Sequence, residues 1–304
     1  MNFIIITMKR LSGYLRDLIC ISEFHQLKDD TMLHNSGLAR YYAEPRDLNE
    51  CTEVLENAYK KGLEVKVIGS GTHTLISDNG FEGLLLSTKS MNGITLKGNL
   101  ITAYAGETLD NIINKSINHH LIGLEQLAGI PGTLGGALKV NAAANGAKLS
   151  DFIFYIDYLK KDGSFNRTPV YSETFGHNGI TLPEDSIFIA AGLRMTPSSS
   201  TAEARLRKEM FTELMLVPPI VRMLADVFYD TEDHKAADII KELRMQGESG
   251  LKAEFSDYNA NMILTYEGCK AEEVKTLINR AIVKAKETLG ITLKPSVSII
   301  GKFS

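Results

Sequence analysis

The sequence predicts an α/β chain of two units, and three observations carry that prediction. A chain of 304 residues holds about two domains' worth of polypeptide. A helical pattern over 48–61 runs at once into a strand over 64–68, the helix-to-strand step of α/β folds. The stretch 196–201 turns to Pro, Ser and Thr and reads as a linker, dividing the chain into units 1–200 and 201–304.

Asp47 and Glu50 form a capping box before the first helix, and Leu48, Cys51, Leu55 and Ala58 recur at helical spacing until Gly62 stops it. The strand over 64–68 opens into Gly69-Ser70-Gly71-Thr72, and the chain turns again at Ser77-Asp78-Asn79-Gly80. Residues 94–96 and 100–104 flank Lys97-Gly98-Asn99 as a β-hairpin. Leu109, Ile112, Ile113, Ile117 and Leu121 share one helical face behind Thr108 as N-cap. Strands follow over 154–159 and 187–193, with a turn at Lys161-Asp162-Gly163 between them. Beyond the linker the pattern gives helices over 202–216, 235–245 and 271–289, the last closed by Gly290. It also gives a break at Pro218-Pro219 and a short strand over 261–266.

With 44% hydrophobic and 23% charged residues and a formal charge of −4, the composition is that of an ordinary folded protein without a bulk basic surface for nucleic acid. No apolar run nears the ~18 residues of a bilayer span; the longest are 3–6 and 83–86. The N-terminus lacks a cleavable secretory pattern, and Met8 is a second candidate start. Cys20, Cys51 and Cys269 are too scattered for a disulfide framework or a Cys-x-x-Cys site. The expectation is a cytoplasmic protein with no metal, no membrane and no nucleic-acid partner.

The glycine loops carry the chemistry. Gly129-Ile130-Pro131-Gly132-Thr133-Leu134-Gly135-Gly136-Ala137 holds four glycines, each costing a helix or strand interior roughly 0.5–1 kcal/mol relative to alanine. Such a loop is poor core, but its backbone can approach a phosphate closely. Two such loops could cradle one pyrophosphate. The first does not meet the dinucleotide fingerprint: Thr74 stands at the third glycine position and a turn replaces the helix. Thr88-Lys89-Ser90-Met91 also supplies no acid for a ribose.

Together the two loops resemble the flavin-binding half of the UDP-N-acetylenolpyruvoylglucosamine reductase family, also called UDP-N-acetylmuramate dehydrogenase. The second loop is similar almost letter for letter, Asn141, Ala142 and Gly146 continue the pattern, and Leu293-Lys294-Pro295-Ser296-Val297 with Ile300-Gly301 resembles the family's C-terminal signature. The resemblance runs over nearly the whole chain. It implies a two-lobed FAD-binding fold of the vanillyl-alcohol-oxidase type, with lobes of about 1–90 and 91–200, and a smaller C-terminal substrate domain. It further implies that FAD is held by Gly69, Ser70, Gly71, Thr72, His73 and Thr74, and by Ile130, Pro131, Gly132, Thr133, Gly135 and Gly136, with Asn141, Ala142 and Gly146. NADPH as reductant, a UDP-sugar substrate whose enolpyruvyl double bond receives hydride, and a role in peptidoglycan synthesis are implied too. In the family a serine protonates the enol, and an arginine and a glutamate stabilise it.

The chain departs from the family where that chemistry is done. The arginine's motif, Tyr-Arg-x-Ser, is matched after Phe175-Gly176 by His177-Asn178-Gly179-Ile180, which puts Asn178 at its place. Gly-Ser-aliphatic-Phe is matched by Ala225-Asp226-Val227-Phe228, with Asp226 for the serine, and Ser296 stands for the glutamate after the C-terminal proline. A developing enolate needs positive charge and a positioned proton donor, and an ionised Asp226 would repel it unless burial kept it neutral. One missing general acid costs a factor of roughly 10²–10⁴, so the departures predict weak or lost activity; the alternative is a non-catalytic flavoprotein acting through a protein partner. Three further sets of histidines are expected as follows. His73 lies on the FAD phosphates or ribose, or else is solvated; His177 is a substitute acid without a carboxylate partner; and His119-His120 is a surface pair closing a helix.

Overall fold

Asp47 accepts the Glu50 N–H at 2.9 Å and starts helix α1, Leu48–Lys60, in a computed structural model that describes residues 21–31, 33–34, 37–176, 179–183, 185–214, 222–247 and 252–303. The apolar run at 3–6, Met8, Cys20, His177, Asn178 and the Pro218-Pro219 break lie outside the described residues. Glu50 does not complete the expected capping box. Its carboxylate accepts from the Arg46 N–H instead, one residue further back than the cap.

Helix α1 buries Cys51, Val54, Leu55 and Ala58 against Tyr41, Ala43, Leu84 and Leu86 of a four-stranded sheet. The strand order is Ile21–Gln26, Leu38–Ala43, Phe81–Ser87, Val65–Ile68; the first pair is antiparallel and the other two are parallel. Leu85, between two leucines that pack with α1, joins Leu27, Tyr42, Ile68 and Ile76 on the opposite side. A strand covered on both faces is therefore written as a continuous apolar run.

The expected hairpin forms as Ile94–Lys97 and Leu100–Tyr104, one edge of a five-stranded antiparallel sheet. Across it the order is Phe165–Pro169, Ile153–Leu159, Ile187–Arg194, then the hairpin. The far edge strand, which the sequence pattern does not predict, is pinned by Arg167 donating to both oxygens of Asp157 at 2.6 and 2.8 Å. Helix α2, Leu109–Asn118, capped by Thr108 as expected, and helix α3, Leu134–Val140, pack with this sheet. Helix α2 stops short of Leu121 because His120 takes φ +58°; Leu121–Ile122 instead pairs with Thr196–Pro197 at the start of the Pro/Ser/Thr stretch. Helix α4, Ala202–Leu214, folds back onto the same core through Ala204 and Phe211, and Arg207 donates to the buried Glu125 carboxylate at 2.5 Å.

Helices α5, Ala236–Glu242, and α6, Ala271–Leu289, share a core with a three-stranded antiparallel sheet ordered Arg222–Leu224, Ile263–Thr265, Ala253–Phe255. The chain then runs on along this core, and Ser298–Ile300 pairs in parallel with Thr74–Ile76, just after the first glycine loop. Alternation along that short strand sends Leu75 into the C-terminal core and Ile76, with Ile300, into the core behind the first sheet. Among the described residues no helix is long and apolar enough to cross a membrane, and no group of three or more His, Cys, Asp or Glu could hold a metal ion.

Phe255 is fully buried with its ring centroid 6.4 Å from that of Phe228. Phe255→Ala should cost about 3–5 kcal/mol in urea unfolding; a loss below about 1 kcal/mol would contradict this packing.

Candidate functional site

The two glycine loops meet by exchanging threonines. A Cβ on Gly69 would lie 2.3 Å from Thr133 Oγ1, and one on Gly132, at φ +115°, would lie 2.9 Å from Thr72 Oγ1. Each loop thus uses a glycine to admit the other loop's hydroxyl. Thr133 Oγ1 is buried and has no hydrogen-bond partner, and it does not cap α3 although Thr133 is the residue before that helix. An orphaned buried hydroxyl costs about 1–3 kcal/mol, so it marks a place where an acceptor is missing. Of the backbone N–H groups of residues 69–72, none donates to an acceptor among the described residues. Unspent donors on one loop and an unspent hydroxyl on the other suit an oxygen-rich anion such as a pyrophosphate.

The second loop offers fewer donors than its glycine content suggests. The Leu134 N–H donates to the Glu107 carbonyl and the Gly135 N–H to the Ala105 carbonyl, both at 2.8 Å. A Cβ on Gly135 would meet Ala105 Cβ at 3.1 Å, so this glycine lets α3 seat on its strand, whereas Gly136 has only Thr133 Oγ1, at 3.8 Å, in front of it. The residues after the helix also have structural partners. Asn141, in the left-handed region at φ +50°, exchanges two hydrogen bonds with Ser150, and the Ala142 N–H closes on the Ala137 carbonyl. Gly146, at φ +83°, has open space around it.

His73 is half-buried and hydrogen-bonded. Its Nε2 is 3.0 Å from Ser296 Oγ, and that hydroxyl donates to the Asp226 carbonyl. A carbonyl oxygen can only accept, so the serine proton is spent there and His73 Nε2–H must be the donor. Burial, with the positive charge of Lys139 on α3, pushes the imidazole down to about 4, so it is neutral at pH 7. Asp226 takes φ +47°, and the chain beyond it is gripped on both sides. The Val227 N–H donates to the Asn261 carbonyl, Phe228 exchanges two bonds with the Asn261 side chain, and the Ser296 N–H donates to the Val227 carbonyl. Burial and the negative charge of Asp230 push the Asp226 carboxyl above its usual range.

Comparisons with known proteins give one answer. Residues 39–168 match the model of the FAD binding domain family, and residues 211–300 match that of the UDP-N-acetylenolpyruvoylglucosamine reductase C-terminal domain. A UDP-N-acetylenolpyruvoylglucosamine reductase of a Synechococcus species is 30% identical over 98% of this chain and 95% of its own length. The chain belongs to the UDP-N-acetylenolpyruvoylglucosamine reductase family. A Streptococcus thermophilus enzyme of that name is 28% identical over 90% of the chain and 91% of its own. The fold is also that of the family: the crystal structure of UDP-N-acetylenolpyruvylglucosamine reductase from Thermus caldophilus superposes with a TM-score of 0.75, covering 91% of this chain and 98% of that one at 23% identity.

Asp226 and Ser296, two of the three positions expected from the sequence pattern to stand for the family's catalytic residues, are joined to His73 of the first loop, Asp226 through its carbonyl. The third, Asn178, lies outside the described residues. Sequence reading missed three contributors. The Asp30 carbonyl backs Gly71, at 2.0 Å from a Cβ built there; Lys139 acts on His73; and the 298–300 strand holds the first loop in place. Lys139 lies two residues beyond the second glycine motif and could have been singled out there as a cation; the other two are backbone contacts with no residue signature.

Thr133→Val removes an unsatisfied hydroxyl and keeps its shape. It should leave the ligand-free melting temperature unchanged or higher while weakening FAD by about 1.5–3 kcal/mol, the worth of a hydrogen bond to a charged group. Flavin fluorescence quenching and thermal melts read the two effects, and an unchanged FAD affinity would reject the hydroxyl as a phosphate ligand. Gly136→Asp should weaken FAD with little change in melting, because its side chain has room.

His73 titration gives a further test. A base held neutral in the folded state at about 4 but titrating near 6.5 when unfolded stabilises the fold above pH 6.5, and that stability drains away as the pH falls from 6.5 towards 4. His73→Asn, which can still donate to Ser296, should flatten this part of the stability profile. Parallel profiles for the two proteins would place the acid sensitivity elsewhere.

Proposed function

We propose that this chain is an FAD-dependent reductase of UDP-N-acetylenolpyruvoylglucosamine, with NADPH as reductant, in peptidoglycan precursor synthesis, and that it turns over far more slowly than relatives with arginine, serine and glutamate at the three divergent positions. Family membership supports the reaction class. The observation that carries the reading to this chain is the convergence of Asp226 and Ser296 on His73. Two distant stretches of the C-terminal unit are thereby held against the loop that faces the cofactor.

The fit to FAD rests on the interlocked loops: the N–H groups of 69–72 and Thr133 Oγ1 would hold the pyrophosphate. FAD, when bound, supplies the hydride chemistry. The protein's own part is to hold a neutral imidazole beside the first loop, with Lys139 acting on it. Without a fixed arginine, the enolate stabilisation that speeds the reaction is reduced; loss of one such electrostatic group costs roughly 10²–10³ in rate.

Absorbance scans separate the readings. The purified chain should bind one FAD, NADPH should bleach it, and the enolpyruvyl substrate should slowly restore the oxidised spectrum. Bleaching with no reoxidation would make the protein a non-catalytic flavoprotein; failure to take up FAD would overturn the proposal. Restoring the set together, Asn178→Arg, Asp226→Ser and Ser296→Glu, should raise turnover with FAD affinity unchanged. Single restorations should do little, because groups acting as a unit are strongly non-additive.

A further inference from the structure

We propose that Asp30 is a positioning residue for the cofactor: clamped by Lys89, it presses its own carbonyl against Gly71 and so sets the shape of the loop that holds the FAD pyrophosphate. The inference rests on the reading that residues 69–72 bind that pyrophosphate.

The first glycine loop is supported at two points. At its start the Ile68 carbonyl accepts the Thr88 N–H at 2.9 Å. At its bend Gly71 takes φ +67°, and a Cβ there would lie 2.0 Å from the Asp30 carbonyl oxygen and 2.8 Å from Thr31 Cα. Lys89, the residue after Thr88, donates to the Asp30 carboxylate at 2.9 Å. One ion pair, between residues 59 apart in sequence, therefore ties the two supports to each other. The turn that carries Lys89 also reaches the second loop. The Gly106 N–H donates to the Met91 carbonyl and the Leu134 N–H to the Glu107 carbonyl, each at 2.8 Å.

Asp30 is built as an anchor. Its side chain is nearly buried, and besides Lys89 it takes His25 Nε2–H at 2.7 Å and the Tyr42 hydroxyl at 3.1 Å. These donors are themselves fixed, because the His25 ring stacks on Tyr42 at 3.8 Å and the same hydroxyl reaches Glu44 at 2.7 Å. Burial opposes the charge, but the hydrogen bonds and charges of Lys89 and His25 outweigh it and hold the carboxyl below its usual range. Hydrogen bonds to a charge are short and directional where apolar packing is not, so three of them from three separate stretches fix an orientation as well as a place. The Asp30 N–H is also engaged, by the Leu27 carbonyl at 3.0 Å. With both its side chain and its N–H held, the Asp30 carbonyl has one place to sit, and a glycine lies opposite it.

A cation beside a phosphate loop invites a second reading, in which Lys89 binds the phosphate directly and Asp30 competes for it. The two readings predict opposite signs. Removing a competitor tightens FAD, whereas removing the anchor loosens it.

FAD binding to the full chain, read by flavin fluorescence quenching, should weaken by roughly tenfold in Asp30→Asn and in Lys89→Met. The double variant should be no weaker than Asp30→Asn alone, because partners in one network are not additive. Lys89→Arg, which keeps the charge, should recover most of the loss. Phosphorus-31 NMR of bound FAD should show the pyrophosphate resonances moved in Asp30→Asn and unmoved in Val54→Ala, which loosens α1 on the opposite face of the first sheet. Should Asp30→Asn not fold, Lys89→Met and Lys89→Arg carry the same measurements.

Equal or tighter FAD binding in Asp30→Asn would overturn the proposal, as would additive losses in the double variant. A lower melting temperature with wild-type affinity and wild-type phosphorus resonances would make the network structural only and overturn it too. Wild-type protein that takes up no FAD would overturn the pyrophosphate reading first, and the role of Asp30 with it.

Discussion

The reciprocal seating of two threonines against two glycines is the constraint from which the site follows. Thr133 occupies the space a side chain on Gly69 would need, and Thr72 does the same at Gly132. Backbones that close cannot carry side chains between them, so the interface is lined by N–H groups and two hydroxyls. A hydroxyl left without a partner in such a place is unfavourable in the empty protein, and that stored cost favours binding of a ligand that brings an acceptor. The same close approach ties the two sheets together, because one loop ends a strand of the first and the other is seated on the second through Ala105.

A second constraint fixes the C-terminal unit on that frame. The strand Thr74–Ile76 belongs to two cores at once, Leu75 to one and Ile76 to the other, and its parallel partner Ser298–Ile300 closes the join. Short as it is, this pairing sets where Ser296 lies, and through Ser296 the carbonyl of Asp226. Displacing the tail by one residue would reverse every side chain on it.

The electrostatics of the join run opposite to those of free side chains. Crowding by protein lowers the affinity of the imidazole for its proton and raises that of the carboxyl, so both groups are shifted towards their neutral forms. The charge Lys139 contributes is correspondingly prominent.

Local rules settled much of the chain from its sequence. Helices α1, α2 and α6 were legible because period and cap agree: Asp47, Thr108 and Gly290 sit where the apolar repeat starts or stops. The glycine loops were legible because so little side chain has few other uses. Other features depend on neighbours distant in sequence, and the tertiary structure alone decided them. Phe165–Pro169 is a strand because Arg167 finds Asp157 across the ladder. Gly135 is close-packed because its α-carbon faces Ala105. The Asp226 segment is held by Asn261 and Ser296, which reach its backbone from two distant stretches. Period and capping are written in consecutive residues; burial, charge pairing and the direction of a side chain arise only when the chain returns on itself.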